Sequence, residues 1–297
     1  MDKAARTPNV LITGATGQVG SKTIDWLLKE PEVRIVAAVR SPEKAAGFRD
    51  RGVATVLLDL DDESTHLRAL EGIDRVLVVT GYTVDMLRQS KALLDNAKKA
   101  GVQHVVHLGA CGRDDTTVAH WAWHQFVERY IQWCGFSYTH LRPETFMQNV
   151  LSYGGQKAIK DGVIHAFVDD ARLSWVDVDD VAQVAALALA YPEVHGGKTY
   201  RMGYDAASFG ELAERMTAIV GQPFRYEPLA PEVFLETMRS AGAEMAYMTC
   251  VYEHWKRYAA GTIPGADDTF DNFPAITGRE PTRWDGFIER HKAELAY

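Results

Sequence analysis

Val10-Leu11-Ile12-Thr13-Gly14-Ala15-Thr16-Gly17-Gln18-Val19-Gly20 is the stretch that decides the fold of this chain. The apolar and β-branched run from Val10 to Thr13 predicts a short buried strand. Three glycines follow at a spacing of three, and Ser21 to Glu30 carries helical spacing through Ile24, Leu27 and Leu28. A glycine turn between a strand and a helix lets backbone N–H groups and the helix N-terminus face a pyrophosphate with no Cβ in the way. The pattern is Gly-x-x-Gly-x-x-Gly, with the tight-turn glycine one residue earlier than in the Gly-x-Gly-x-x-Gly of dehydrogenases. A lone glycine triplet is a weak signal; the strand before it and the helix after it supply the context that makes it a dinucleotide loop. Gly14, Thr16, Gly17, Gln18 and Val19 are the expected cofactor-binding residues of this loop.

Outward from this loop the same rhythm repeats. Arg34 to Val39 reads as a second strand, and Ser41-Pro42-Glu43-Lys44 opens a short helix with Pro42 at its first position and Ser41 as candidate N-cap. Ala54–Leu58, Asp74–Thr80, His104–Leu108 and Ser137–Leu141 read as four more strands. Helices are expected from about Val84 to Ala100, stopping at Gly101, and from about Val118 to Cys134, stopping at Gly135. Near-continuous apolar strands alternating with helices predict an α/β fold: a Rossmann-type doubly wound parallel sheet covered on both faces. Past Pro143 the rhythm changes. Leu173–Val176 and Lys198–Met202 read as strands around a helix from Val178 to Tyr191, and helical sequence rich in Met and aromatics follows. The expected organisation is a dinucleotide-binding domain over residues 1–150, with 173–202 returning to it, and a smaller, mainly helical substrate-binding or lid domain from 151–172 and 203–297. There is no internal repeat.

The 297 residues, 46% hydrophobic and 24% charged, suit one large or two closely joined globular domains. A formal charge of −8 argues against nucleic acid, which needs a basic stripe. No apolar run approaches the roughly 18–20 residues of a membrane span. The start, Met1 to Pro8, lacks the apolar segment of a signal peptide. Cys111, Cys134 and Cys250 show no metal spacing and leave one unpaired in any disulfide scheme. A cytoplasmic location is expected, with a homodimer as a possible assembly.

In doubly wound sheets ligands lie outside the carboxyl ends of the strands. The residue ending the second strand separates the two nicotinamide dinucleotides: a carboxylate would bond the ribose 2′-OH of NAD, whereas this chain has Arg40, with Lys44 one turn on. A guanidinium can bind a 2′-phosphate bidentately, so NADP(H) is the expected cofactor. A solvated arginine at a strand end is the plainer alternative. Asp59 and Leu60, after the third strand, fall where the adenine edge would lie, although Asp59 could equally cap the helix from Asp62. Thr80-Gly81-Tyr82 and Gly109-Ala110-Cys111 end the next two strands with small residues that allow close approach of a cofactor.

These residues, together with Val39-Arg40-Ser41-Pro42-Glu43-Lys44, the stretch Tyr138 to Asn149 (Tyr-Thr-His-Leu-Arg-Pro-Glu-Thr-Phe-Met-Gln-Asn), Val176-Asp-Val-Asp-Asp-Val-Ala182 and Thr277-Gly-Arg-Glu-Pro281, resemble the NmrA-like atypical short-chain dehydrogenases over nearly the whole chain. Within that family the likeness narrows toward NAD(P)H:quinone oxidoreductase type 2 and triphenylmethane reductase, which carry histidine where most relatives have the catalytic lysine; His124 matches that histidine. The resemblance also implies Pro143 and Phe146 beside the cofactor. It extends to NmrA itself, a dinucleotide-sensing regulator. The wider superfamily's Tyr-x-x-x-Lys becomes His120-Trp121-Ala122-Trp123-His124, and Gly109 or Ala110 stands where its serine is expected, so an ordinary alcohol–ketone interconversion is not implied.

His120 and His124, four apart, share one face of a predicted helix. No Glu follows His120 to make His-Glu-x-x-His and no third ligand is evident, so no metal is expected. The two rings either pack among Trp121, Trp123 and Phe126 or, as the resemblance implies for His124, face the nicotinamide ribose or the substrate. Tyr82 is a candidate donor or pocket wall, and Cys111 reads as a small buried thiol. Met248, Val251, Tyr252 and Trp255 form one apolar face of a helix; with Phe146 and Tyr82 they are the candidate substrate contacts, and Gly261, Pro264 and Gly265 either hinge a lid or end that helix. The function expected is an NADPH-dependent reductase passing hydride to a conjugated small molecule such as a quinone, dye, enone or imine. The alternative is a catalytically silent NADP(H)-sensing regulator.

Overall fold

Val10, Leu11 and Ile12 are completely buried, and burial on both faces makes β1 (Asn9–Ile12) the middle of a sheet. The computed structural model describes residues 6–153, 156, 157 and 159–297, so the expectation drawn from Met1 to Ala5, and Gly154, Gly155 and Ala158 within 151–172, lie outside the described residues. The helix α1 (Gln18–Leu27) follows the loop, then β2 (Arg34–Val39), β3 (Ala54–Leu57) and β4 (Arg75–Val79). After these come α2 (Met86–Ala100), β5 (His104–Leu108), α3 (Ala119–Trp133) and β6 (Ser137–Pro143). Gly101 and Gly135 stop α2 and α3 with positive φ of 85° and 76°, the left-handed conformation that glycine adopts without a Cβ penalty.

The chain divides into two compact units. The first holds Met1–Ala110, Ala122–Arg142 and Val181–Tyr200, and the second Cys111–Trp121, Pro143–Asp180 and Arg201–Tyr297. The first unit is built on a seven-stranded sheet whose order, from the edge, is β9 (Lys198–Met202), β6, β5, β4, β1, β2, β3. The pairs from β3 through β6 are all parallel. This is the doubly wound order, and it reverses between β1 and β4, where such sheets bind ligands. Thr13 locks that point: its hydroxyl donates to Leu77 O at 2.8 Å and accepts from Val79 N–H at 2.8 Å.

The second unit contains β7 (Thr145–Phe146), β8 (Leu173–Val176) and β10 (Asp205–Ala207), ordered β10-β8-β7. Leu173–Val176 was expected to return to the main sheet and does not; of the stretch 173–202, only β9 pairs there, while α4 (Val178–Ala190) supplies the connection. All four β8 residues are buried, Trp175 packing on Trp284 at 5.1 Å and on Phe209 at 5.3 Å. A second small sheet joins Ile159–Lys160, Val163–Ala166 and Arg225–Pro228, so the region after residue 203 carries strands as well as α5 (Phe209–Val220), α6 (Pro231–Ser240), α7 (Met245–Ala259) and α8 (Trp284–Arg290). No helix among the described residues is long and apolar enough to cross a membrane.

Candidate dinucleotide site and its histidine network

Each glycine of the loop has its own steric reason. Gly14 takes φ +61°, and a Cβ there would lie 3.0 Å from the Val79 Cβ. Gly17 N–H donates to Gly14 O at 2.8 Å and Gly17 caps α1 with extended backbone and no side-chain hydrogen bond. A Cβ on Gly20 would run into the Gly14 carbonyl, 2.8 Å from its carbon, so only glycine lets α1 pack this close to the turn. The first turn of α1 contains no acidic residue, leaving its N–H groups and positive dipole end for an anion. Gly14, Thr16, Gly17 and Gln18 are exposed there, whereas Val19 is buried, so its side chain serves the core and only its backbone can meet a ligand.

Arg40 ends β2 exposed, and Lys44 is exposed in the 3-10 turn Pro42–Ala45. Ser41 takes the N-cap position but its side chain makes no capping bond; it instead bonds Glu43, and this contact leads in lowering the Glu43 carboxyl. The cap expected of Asp59 is made by Asp62, which accepts from Ser64 N–H at 3.0 Å. Asp59 accepts from Asp61 N–H instead, because the chain turns back on itself at Asp59–Asp62. Asp61 bonds Gln89 at 2.8 Å and Arg88 at 2.9 Å; these contacts, with Arg40 nearby, hold its carboxyl below the usual range. Thr80 and Leu60 are half-buried, Gly81 is exposed, and the Tyr82 side chain is 76% exposed. An open glycine cradle, a helix N-terminus without competing carboxylates and a guanidinium at the end of β2 fit a phosphorylated dinucleotide.

Behind Gly109 lies a buried polar network that the sequence did not reveal. His124 Nδ1 and His107 Nε2 are 3.3 Å apart, and the His107 ring meets His140 edge-on at 5.9 Å. Arg142 holds Glu128 with two hydrogen bonds, at 2.9 and 2.6 Å. Gly109 leaves room here: a Cβ would sit 3.1 Å from Leu141 O and 3.3 Å from His107 Cε1, both tighter than ordinary contact. Burial, and then the neighbouring His124, His140 and Arg142, push His107 well below the usual histidine range. His107, Glu128 and His140 offer ligand atoms within 4.8 Å of one another. Both Glu128 oxygens, however, are held by the Arg142 guanidinium, whose charge opposes a cation. In the sequence His124, Gly109 and the stretch holding His140 and Arg142 stood out; His107 and Glu128 lie in a strand and a helix with no motif of their own.

The second unit gathers His120 into an aromatic cluster, 5.1 Å from His254, 6.0 Å from Trp121 and 5.9 Å from Tyr247. Burial holds it neutral, its pKa lowered to about 4. The buried stripe of α7 is Tyr247, Val251, His254 and Tyr258; Met248, Tyr252 and Trp255, expected on one face with Val251, are only half-buried beside it. Tyr252 donates to Glu232 at 2.9 Å, and Trp255 stacks on His254 at 4.6 Å. Gly261 ends the helix, with φ +63° and Thr262 N–H returning to Arg257 O. Cys111 is buried and its thiol pushed up, first by burial and then by Glu144. Glu144, missed in the sequence, is raised to about 7 by burial, which outweighs Arg201 at 3.3 Å.

The remaining marker stretches tie the second unit together. Gln148 donates to Asp177 at 2.6 Å and accepts from Val178 N–H at 3.0 Å, and Arg290 also pairs with Asp177. Asp180 accepts from Arg279 at 2.8 Å and from Thr282 N–H at 2.7 Å. Pro143 is buried and Phe146 half-buried at the start of this unit.

The NmrA-like family profile matches residues 6–288. The chain belongs to the NmrA-like family. It is 32% identical over 287 residues to the NAD(P)H azoreductase of Xenophilus azovorans, covering 96% of this chain and 98% of that protein. Among solved structures it resembles the Escherichia coli NADPH-dependent quinone oxidoreductase complexed with NADPH, with a TM-score of 0.81 and 26% identity, over 95% of this chain and 99% of that one. The Citrobacter sp. triphenylmethane reductase complexed with NADP(H) shares the fold with a TM-score of 0.81 and 24% identity, over 95% and 99% of the two chains.

Proposed function

We propose that this NmrA-like chain is an NADPH-dependent reductase that passes hydride to a flat, conjugated small molecule such as a quinone, dye, enone or imine. The observation that carries this is its likeness over 96% of its length to a protein named NAD(P)H azoreductase. The open glycine cradle at the start of α1 supports the same conclusion from the chain itself. Arg40 and Lys44 favour the 2′-phosphorylated dinucleotide, with Asp59 and Leu60 toward the adenine and Gly81, Gly109 and Ala110 leaving room farther along. Bound in that cradle, the nicotinamide would supply the hydride.

His124 is assigned to orient the ribose or the acceptor. A quinone or dye that accepts hydride becomes a delocalised anion that water can protonate, so the reaction needs orientation and exclusion of bulk water more than a strong acid. This agrees with a chain that has lost the Tyr-x-x-x-Lys pair. The test is NADPH oxidation by the purified protein with a panel of quinones, triphenylmethane dyes and azo dyes. Acceptor-dependent oxidation is the expected result. Tight NADPH binding without oxidation by any acceptor would overturn it in favour of a dinucleotide sensor. Loss of kcat/KM per folded molecule in His124→Ala is expected; normal activity per folded molecule would make His124 a packing residue.

A further inference from the structure

A histidine that orients a substrate has two ring nitrogens, and its use depends on which one carries the hydrogen. Resting on the assignment of His124 to the site, we propose that His107 is its positioning residue. His107 Nε2–H donates to His124 Nδ1 and thereby keeps the ring hydrogen of neutral His124 on Nε2.

The geometry leaves little choice. His124 Nδ1 and His107 Nε2 face each other at 3.3 Å, with both rings buried. One of these two nitrogens donates and the other accepts. If His124 donated, the hydrogen of neutral His107 would have to sit on its Nδ1. That atom is fully buried and, among the described residues, has no hydrogen-bond partner. A stranded N–H donor in a buried site is the rarer and costlier arrangement, whereas a bare lone pair there loses less. The surroundings of the ring agree. Burial first, then His124, then His140 and Arg142 from β6, disfavour added positive charge on His107. Glu128 of α3 is the one carboxylate of the cluster among the described residues, and both its oxygens are held by Arg142. His107 therefore stays neutral with its hydrogen on Nε2. A Cβ at Gly109 would sit 3.3 Å from the His107 Cε1, so the space on that edge of the ring suits only a glycine-sized neighbour.

The consequence is specific. His124 meets a ribose or acceptor oxygen with Nε2–H, as a hydrogen-bond donor, and not with a bare nitrogen that could take up a proton. Gly109, Glu128, Arg142 and His140 then serve the site through His107, although none of them needs to touch a ligand. This is the logic by which outer partners fix the tautomer of metal-bound and catalytic histidines.

Long-range proton–nitrogen NMR on protein labelled at histidine, with His124 signals assigned by their absence in His124→Ala, reads the tautomer without any acceptor. The expected spectrum has a protonated Nε2 and an unprotonated Nδ1 on His124. In His107→Phe the donor is gone, so His124 should show mixed tautomers and kcat should fall about tenfold or more, with the KM for NADPH nearly unchanged. His107→Gln keeps an N–H at that place and should restore both the tautomer and most of kcat. A wild-type His124 protonated on Nδ1, or an unchanged tautomer in His107→Phe, would overturn the proposal. If the tautomer is as expected but His124→Ala keeps wild-type kcat/KM, the assignment of His124 to the site fails and the role of His107 stands as structural ordering of that ring.

Discussion

Arg142 and Glu128 form a bidentate ion pair in the interior of the first unit, with Nε at 2.9 Å and Nη2 at 2.6 Å from the two carboxylate oxygens and side-chain exposures of 6% and 1%. Removing one partner of such a pair strands a buried charge. Glu128→Gln or Arg142→Met should each lower unfolding stability by about 3–5 kcal/mol. The double replacement should cost less than the sum of the two, because no charge is then left alone. Urea unfolding of the three variants gives the answer; fully additive losses would mean that the pair is not coupled.

The three loop glycines make a second, local prediction. Gly20→Ala puts a methyl group against the Gly14 carbonyl, which is backbone and cannot move without opening the turn. Both stability and NADPH affinity should fall. Alanine at Gly47, where nothing lies within 4 Å, is the control that leaves both nearly unchanged. Calorimetry and NADPH titration of the two variants would separate them, and equal behaviour would argue against a close-packed cradle.

Arg40 should set the choice of dinucleotide. A charge-assisted contact to the 2′-phosphate is worth about 1.5–3 kcal/mol, so Arg40→Ala should weaken NADPH binding about tenfold or more. NADH binding should hardly change. Wild-type protein that fails to prefer NADPH in such titrations would rule the role out.

Buried histidines predict an acid limb in the stability profile. Burial lowers His104 and His120 to about 4 and His140 to about 3, from a usual value near 6.5. Between about pH 6.5 and 4 the unfolded chain binds protons that the folded chain refuses, so stability is lost as pH falls through that window. Glu144 works the other way. Its pKa, raised by burial from 4.5 to about 7, gives stability that is present below about pH 4.5 and lost as pH rises through about 7. Melting temperatures from pH 4 to 8 should therefore fall on the acid side in wild type, and Glu144→Gln should gain relative stability at pH 8. Identical pH profiles for wild type and Glu144→Gln would contradict the raised Glu144 pKa.

Local pattern was enough for some of these features. Val10 to Gly20 specified strand, turn and helix because β-branched burial, glycine freedom and helical spacing act within a few residues. Gly101 and Gly135 stop α2 and α3 where expected, since a left-handed residue ends a helix whatever surrounds it. Arg40 stands at the end of β2 for the same reason: strand length and register fix which residue comes last. What covers each face depends on distant neighbours. Periodicity placed His120 and His124 on one side of α3, yet His120 packs against His254 of α7 and His124 against His107 of β5. On α7 the buried stripe runs through Tyr247 and His254 rather than Met248 and Trp255, since the neighbours choose the face. Leu173–Val176 is apolar enough for either sheet, and pairing with Asp205–Ala207 and Thr145–Phe146 settled which one. The partners that make these choices lie tens to more than a hundred residues away, and a pattern read along the chain contains the need for burial but not the identity of what satisfies it.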